Sequence, residues 1–190
     1  MTEAQGYRVS SEFGKEKFSK LSLKLNELID SYIFTCFSID STNILMWSHY
    51  ADSHKGFCIE FKNSHIQAEK VNYTSKIPQI SLLELIKIEY GLKSNIGNSL
   101  KSAFNTKLPI WKYENEYRHQ PGDSMKQHRV GKDGLSGTND YTFEFIESVI
   151  FGCNMDTKSK NEIILKLPKH IKFKQAIKKN NKIEIIQYYE

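Results

Sequence analysis

Apolar residues recur at intervals of three and four between Ser11 and Tyr32, at Phe18, Leu21, Leu25, Leu28 and Ile29. That spacing gathers them on one face and predicts an amphipathic helix, with Lys15, Lys17, Lys20 and Lys24 on the solvated side. The pattern then changes. "YIFTCFS" is short, aromatic and β-branched, and predicts a strand. "SIDSTN" predicts a turn in which Ser41, Thr42 or Asn43 caps the next helix, "ILMWSHYA", which ends near Gly56. "GFCIEF" predicts a second strand and "KVNY" a third.

From Ser81 to about Thr106, Leu82, Leu85, Ile86, Ile88, Leu100, Ala103 and Phe104 predict a long helix broken at Gly91 or Gly97. "WKYENEYRHQ" predicts a strand. "PGDSMKQHRVGKDGLSGTND", polar and rich in glycine, predicts a mobile surface loop. "YTFEFIESVIFG" resumes strand character. "DTKSKNEIILKLPKH" predicts an amphipathic helix with Ile163, Ile164 and Leu167 inward, and "IKFKQAIK" and "KIEIIQYYE" close the chain as strands. No repeat or linker divides these elements. The expectation is a single α+β domain over residues 1–190, with a mixed or mostly antiparallel sheet flanked by helices.

Composition narrows the function classes only a little. A net charge of +5 and a pI near 8.9 permit an anionic partner such as a nucleotide or nucleic acid without demanding one. Cys36, Cys58 and Cys153 form no CxxC pair, and the first two sit in apolar runs. Buried free thiols and a reducing, cytoplasmic compartment follow as the expectation. No apolar run approaches the ~18 residues of a membrane span, and the N-terminus has no apolar signal region.

Candidate chemistry concentrates in two strings. In "MWSHYADSHKGF", helical spacing puts Met46 and Tyr50 on one side and Leu45 and His49 on another, with Trp47 on a third. His49 and His54 are five apart rather than four, so the spacing does not point to a metal. The plain alternative is that Trp47 and Tyr50 pack in the core and His49 caps the helix. In "WKYENEYRH", a strand would project Glu114, Glu116 and Arg118 from one face, with neighbours ~7 Å apart. Tyr113, Asn115, Tyr117 and His119 would project from the other. Two carboxylates on one face need a cation to stay ionised together, and Arg118 supplies one. Such a row is either a surface ion-pair ladder or a glutamate held by arginine, ready to accept a substrate hydroxyl. A one-residue change of register would exchange the faces. Lys126, Arg129 and Lys132 offer phosphate contacts in the basic loop, although a solvated loop is the simpler account. No Walker, Rossmann, GxSxG, HExxH or CxxC motif is present.

"CFSIDSTNILMWSHYADSHKGFCIEF", "VNY", "WKYENEYR" and "IESVIFGCNM" together resemble a bacterial family, domain of unknown function twenty-nine seventy-one. The likeness covers residues 33–190, after an N-terminal helical segment over 1–32. It implies a family some of whose members lie near phage-defence genes. More distantly, "HYADSHKGFCIEF" and "YENEY" resemble the tyrosine–alanine–helix–strand segment and the glutamate strand of ADP-ribosyltransferases. That likeness implies a related fold, NAD as substrate with no further cofactor, and a transferase, glycohydrolase or toxin activity. It implies Tyr50 stacking on nicotinamide and Glu116 or Glu114 hydrogen-bonding the ribose, with His49 beside them. Trp47, His54 and Arg118 would support substrate binding. Family members usually begin with a segment resembling "Y.Y.S…L…FNDPFE", which "MTEAQGYRVSSEFGKEK" does not match. The expectation is therefore a shortened member or a site completed by a partner. The other class is an inactive module binding nucleic acid or a protein.

Overall fold

A computed structural model describes residues 3–30, 32–76, 78–120, 126–131, 134–139 and 141–189, with the stretches 3–13, 126–131 and 134–139 described by their backbone. The elements in order are α1 (Glu3–Asp30), β1 (Thr35–Ser38), α2 (Ile44–Tyr50), β2 (Phe57–Phe61), β3 (Glu69–Lys70), β4 (Asn72–Tyr73), α3 (Leu82–Glu89), α4 (Ile96–Phe104) and β5 (Thr106–Lys107). A 3-10 turn (Pro109–Glu114) leads into β6 (Glu116–His119) and the hairpin β7 (Lys126–Gly131) and β8 (Gly134–Asn139). A second 3-10 turn (Phe143–Phe145) precedes β9 (Ile146–Phe151), α5 (Thr157–Lys166), β10 (Lys172–Lys179) and β11 (Lys182–Gln187). The α+β class holds. No helix among the described residues is long and apolar enough to cross a membrane.

The main sheet has the order β11-β10-β9-β2. β9 and β10 run parallel across α5, while β2 and β11 pair antiparallel on the outside. Strand alternation divides β9 between two cores. Ile150 joins Trp47, Ala51, Ala176 and Ile183 on the α2 side. Val149 and Phe151 join Ile146 and Ile171 on the α5 side, against Ile163, Ile164 and Leu167. Those three residues therefore face inward as the pattern predicts. A third core holds Leu21, Leu85, Ile96 and Leu100 between α1, α3 and α4. Phe18, expected on the inward face of α1, is 64% exposed instead.

Several boundaries differ from the pattern. α1 begins at Glu3, ahead of its apolar period. The long helix breaks at Gly91, whose φ of +66° no L side chain adopts readily, while Gly97 stays inside α4. Leu92 N–H closes the end of α3 by donating to Lys87 O at 2.8 Å, a Schellman arrangement. Glu84 fastens the joint: its carboxylate accepts from Lys87, Ser94 and the Asn95 N–H, which hold it down at a pKa of about 2. "KVNY" divides into β3 and β4 around buried Val71. The predicted polar loop contains the β7–β8 hairpin, so strand pairing overrides its glycine content; residues 121–125, 132–133 and 140 lie outside the described residues. "WKYENEYRHQ" is a strand only from Glu116, because the preceding residues coil as a 3-10 turn.

The α2–β2 connection is pinned to the end of β9. Asp52, Ser53 and His54 have φ of 42°, 51° and 69° in succession, and Asn154 N–H donates to His54 O at 3.0 Å. At Gly152 a Cβ would run into the His54 carbonyl and approach Gly56 O at 2.6 Å. Backbone on both sides leaves no room to yield. Gly152→Ala should therefore destabilise the fold by about 3 kcal/mol in urea unfolding. Gly97→Ala, with nothing within 4 Å of the added carbon, should be neutral or stabilise by about 0.5 kcal/mol.

Candidate functional site

Local chemistry brings the two strings together. Asn43 caps α2, its Oδ1 accepting from Leu45 N–H at 3.0 Å and Met46 N–H at 3.4 Å. Its amide also donates to Tyr113 O at 2.5 Å, tying the start of α2 to the 3-10 turn. That turn starts at Pro109, where a missing N–H costs nothing. It ends at Asn115, held left-handed at φ 44°, a conformation asparagine tolerates. Glu114 is thus the last residue of a coil and Glu116 the first of a strand.

Both carboxylates nevertheless turn to one ammonium. Lys107, placed by the parallel pairing of β5 with β4, forms ion pairs with Glu114 and, at 3.0 Å, with Glu116. Arg118 Nε donates to Glu116 Oε1 at 2.7 Å and its guanidinium reaches Oε2 at 3.3 Å, while another of its N–H groups donates to Phe104 O. Glu114 is 2% exposed and Glu116 4%. Two negative and two positive charges therefore sit together out of water and sum to zero. Tyr73 hydroxyl accepts from Glu116 N–H at 2.8 Å, and Ser38 hydroxyl donates to Glu114 O at 2.8 Å.

Titration follows from these contacts. Burial alone would raise the Glu116 pKa, but hydrogen bonds from Arg118, Cys36 and Lys107 bring it down to about 2. Cys36 is exposed as a residue, against the expectation of a buried thiol, but its desolvated sulfur and then the Glu116 carboxylate push the thiol up to about 11, so this cysteine is a hydrogen-bond donor rather than a nucleophile. Lys107 rises despite its burial, because both glutamates favour its charged form. Glu116 is consequently a fixed negative charge at neutral pH, unsuited to moving protons.

Tyr50 is the surface end of this cluster. Its residue is 63% exposed, yet its hydroxyl donates to Glu114 Oε1 at 2.8 Å, which raises the phenol's pKa. Rings continue beside it: His49 lies 6.3 Å from Tyr50 and 6.3 Å from Tyr113, and Tyr113 lies 6.1 Å from Trp111. Lys107 Nζ stands 5.2 Å from the Trp111 centroid. An aromatic rim thus borders a buried ion cluster, and Tyr50 connects the two.

Of the residues expected at a site, the structure joins Tyr50, His49, Glu114, Glu116 and Arg118. Tyr50 meets Glu114 directly and Glu116 only through Lys107. The single-face arrangement of Glu114, Glu116 and Arg118 along one strand is corrected, since Glu114 belongs to the coil. Trp47 and His54 are buried in the scaffold. Trp47 Nε1 donates to Ser41 O at 2.7 Å, and His54 Nε2 lies 3.0 Å from Ser48 Oγ. Burial and, secondarily, Lys178 lower the His54 pKa. Tyr50, one of the two rings of the core-packing alternative, is at the surface, and Ala51 rather than His49 is the C-cap residue of α2. Lys126 and Arg129 lie on β7, and Lys132 lies outside the described residues. Sequence reasoning missed Lys107. The charge argument asked for one cation and found it in Arg118, so nothing in the spacing pointed to a second.

Residues 46–119 match the family model described as "Protein of unknown function (DUF2971)", which bears out that resemblance over the segment holding the site. No curated protein and no solved structure matches the chain.

Removing the shared ammonium leaves one buried carboxylate without a counter-charge. Lys107→Met should destabilise the protein by about 3–5 kcal/mol in chemical unfolding at neutral pH. The acid limb carries a second expectation. Glu116 has a folded pKa below its unfolded value, so its stabilisation is present above the ordinary carboxylate value of about 4.3 and is lost as pH falls towards about 2. Glu116→Gln should flatten that part of the stability–pH curve.

Proposed function

We propose that this chain acts on NAD or a closely related nucleotide, breaking the bond between nicotinamide and ribose. The observation that carries this reading is the hydrogen bond from the exposed Tyr50 to the buried Glu114. A ribose hydroxyl that displaces the Tyr50 hydroxyl gains the same acceptor, and the freed tyrosine ring offers a stacking surface for nicotinamide. Glu114, rather than Glu116, is then the carboxylate that meets substrate. As the bond to nicotinamide lengthens, its electron pair leaves with the pyridine nitrogen and positive charge grows on the ribose. A carboxylate held in a dry, ordered setting favours that charge. Water or a nucleophile on a target then bonds to the ribose carbon and releases its proton to solvent. Glu116, fixed by Arg118, positions Lys107 and through it Glu114. The resemblance to ADP-ribosyltransferases adds support, and an effector consuming NAD in phage defence is the corresponding biological role.

A second reading rests on the closure of the same cluster. Both Glu116 oxygens are already paired and nearly dehydrated, as suits a structural lock in a binding module. The positive net charge and the basic β7–β8 hairpin would then serve nucleic acid or an acidic protein surface.

Incubation with NAD, followed by chromatography for nicotinamide, separates the two. The enzyme reading expects release that falls on the order of 10²-fold in Glu114→Gln and about tenfold in Tyr50→Ala, which removes the stacking ring, while Tyr50→Phe keeps its activity, with thermal stability measured alongside. No release and no NAD-dependent thermal shift would sink it. Salt-sensitive binding to single-stranded RNA or DNA would then favour the module.

A further inference from the structure

A second concave site, of about 480 Å³, lies where the C-terminal end of α4 meets the end of β6 and the segment leading into β1. That volume falls in the ~300–1,000 Å³ range of small-molecule pockets. Three of its lining residues form an aromatic wall: the Phe104 ring stacks on Tyr32 at 4.8 Å and lies 5.8 Å from Phe34. The Arg118 guanidinium rests on the outer ring of this set, 4.8 Å from the Phe34 centroid.

The charges in the lining are already answered. Arg118 is committed to Glu116 and to Phe104 O. Lys101 pairs with Glu69 at 2.5 Å, and Asn105 donates to the same carboxylate at 2.9 Å. An anionic group entering here would find no unpaired cation among the described lining residues. One lining residue does have an unmet need. His119 is 8% exposed, and its Nδ1 lies 2.8 Å from Gln67 O, an acceptor that requires the proton on Nδ1. In the neutral ring Nε2 is therefore an acceptor, and it is buried with no partner among the described residues.

We propose that this cavity binds the base of a purine nucleoside: a neutral, planar heterocycle that packs on the Tyr32–Phe104–Phe34 wall and brings an N–H donor to the histidine side. Recognition here is by shape, stacking and an amine rather than by phosphate. The inference stands apart from the chemistry at Tyr50, since binding at this cavity is measured without any bond being cut.

The test is titration of the full chain with adenosine, followed by amide chemical shifts in NMR. Saturable shifts are expected at residues lining the cavity. AMP should bind within about threefold of adenosine, purine riboside (whose base carries no N–H donor) more weakly, and inorganic phosphate should not compete. Ala68→Trp, which fills the cavity from its own lining, should weaken adenosine by about tenfold or more. Gln67→Trp, at an exposed lining position, serves the same purpose should Ala68→Trp fail to fold. Absence of saturable shifts with adenosine overturns the proposal. So does binding that survives the filled cavity, or binding displaced by phosphate. A protein that releases nicotinamide from NAD but ignores adenosine would sink this inference alone; the converse would sink the enzyme reading alone.

Discussion

Lys107 between Glu114 and Glu116 is the contact on which the arrangement depends. Each dehydrated carboxylate costs several kcal/mol unless a cation and further hydrogen bonds meet it, and two of them repel as well. The solution draws on five separate elements: the ammonium from β5, the carboxylates from a 3-10 turn and β6, a hydroxyl from β4 and another from α2. The cluster therefore works as a cross-link. It fixes where α2 ends relative to the small sheet β1-β6-β3, and so fixes which side of Tyr50 faces water.

A second constraint carries this placement to the main sheet. Three consecutive left-handed residues after α2 would be costly in isolation. Here Asn154 takes up both the His54 and Ser53 carbonyls, and Gly152 lets the chain lie against them. Trp47, on the same helix as Tyr50, is simultaneously buried against Ile150 and Ala176 in the main sheet's core. One seven-residue helix thus spans a hydrophobic core on one side and an ion cluster on the other.

This double duty explains which features could be read from the sequence. Regular periods were legible: the inward Ile163 and Ile164 of α5 with Leu167 at its end, a cap on α2 from Ser41, Thr42 or Asn43, and the strands that end the chain all follow from local pattern. The convergence of "MWSHY" with "YENEYR" was an expectation of the family resemblance rather than of any pattern in the residues. Its geometry was not. The coil at Glu114 depends on Pro109 and on a left-handed Asn115, and strand spacing alone put Glu114 on one strand face with Glu116. Lys107 was invisible because a two-residue parallel pairing, set by tertiary contacts, places it. Phe18 broke its own stripe, since α1 extends beyond the helices that cover it.

Charge balance gives the molecule its division of surfaces. The overall charge of +5 suggests electrostatic attraction for anions, yet the cations at the Tyr50 rim and at the α4–β6 cavity are already paired with acids. At the Tyr50 rim, two acids meet two bases. At the α4–β6 cavity, Arg118 and Lys101 are each spoken for by a glutamate. Arg118 belongs to both regions: its guanidinium holds Glu116 and also lies over Phe34. Long-range charge can therefore raise the encounter rate with an anionic ligand, while stacking and hydrogen bonding decide what stays. A phosphate-bearing ligand with an aromatic base fits that division better than a bare anion, because its charge is used on approach and its ring on arrival.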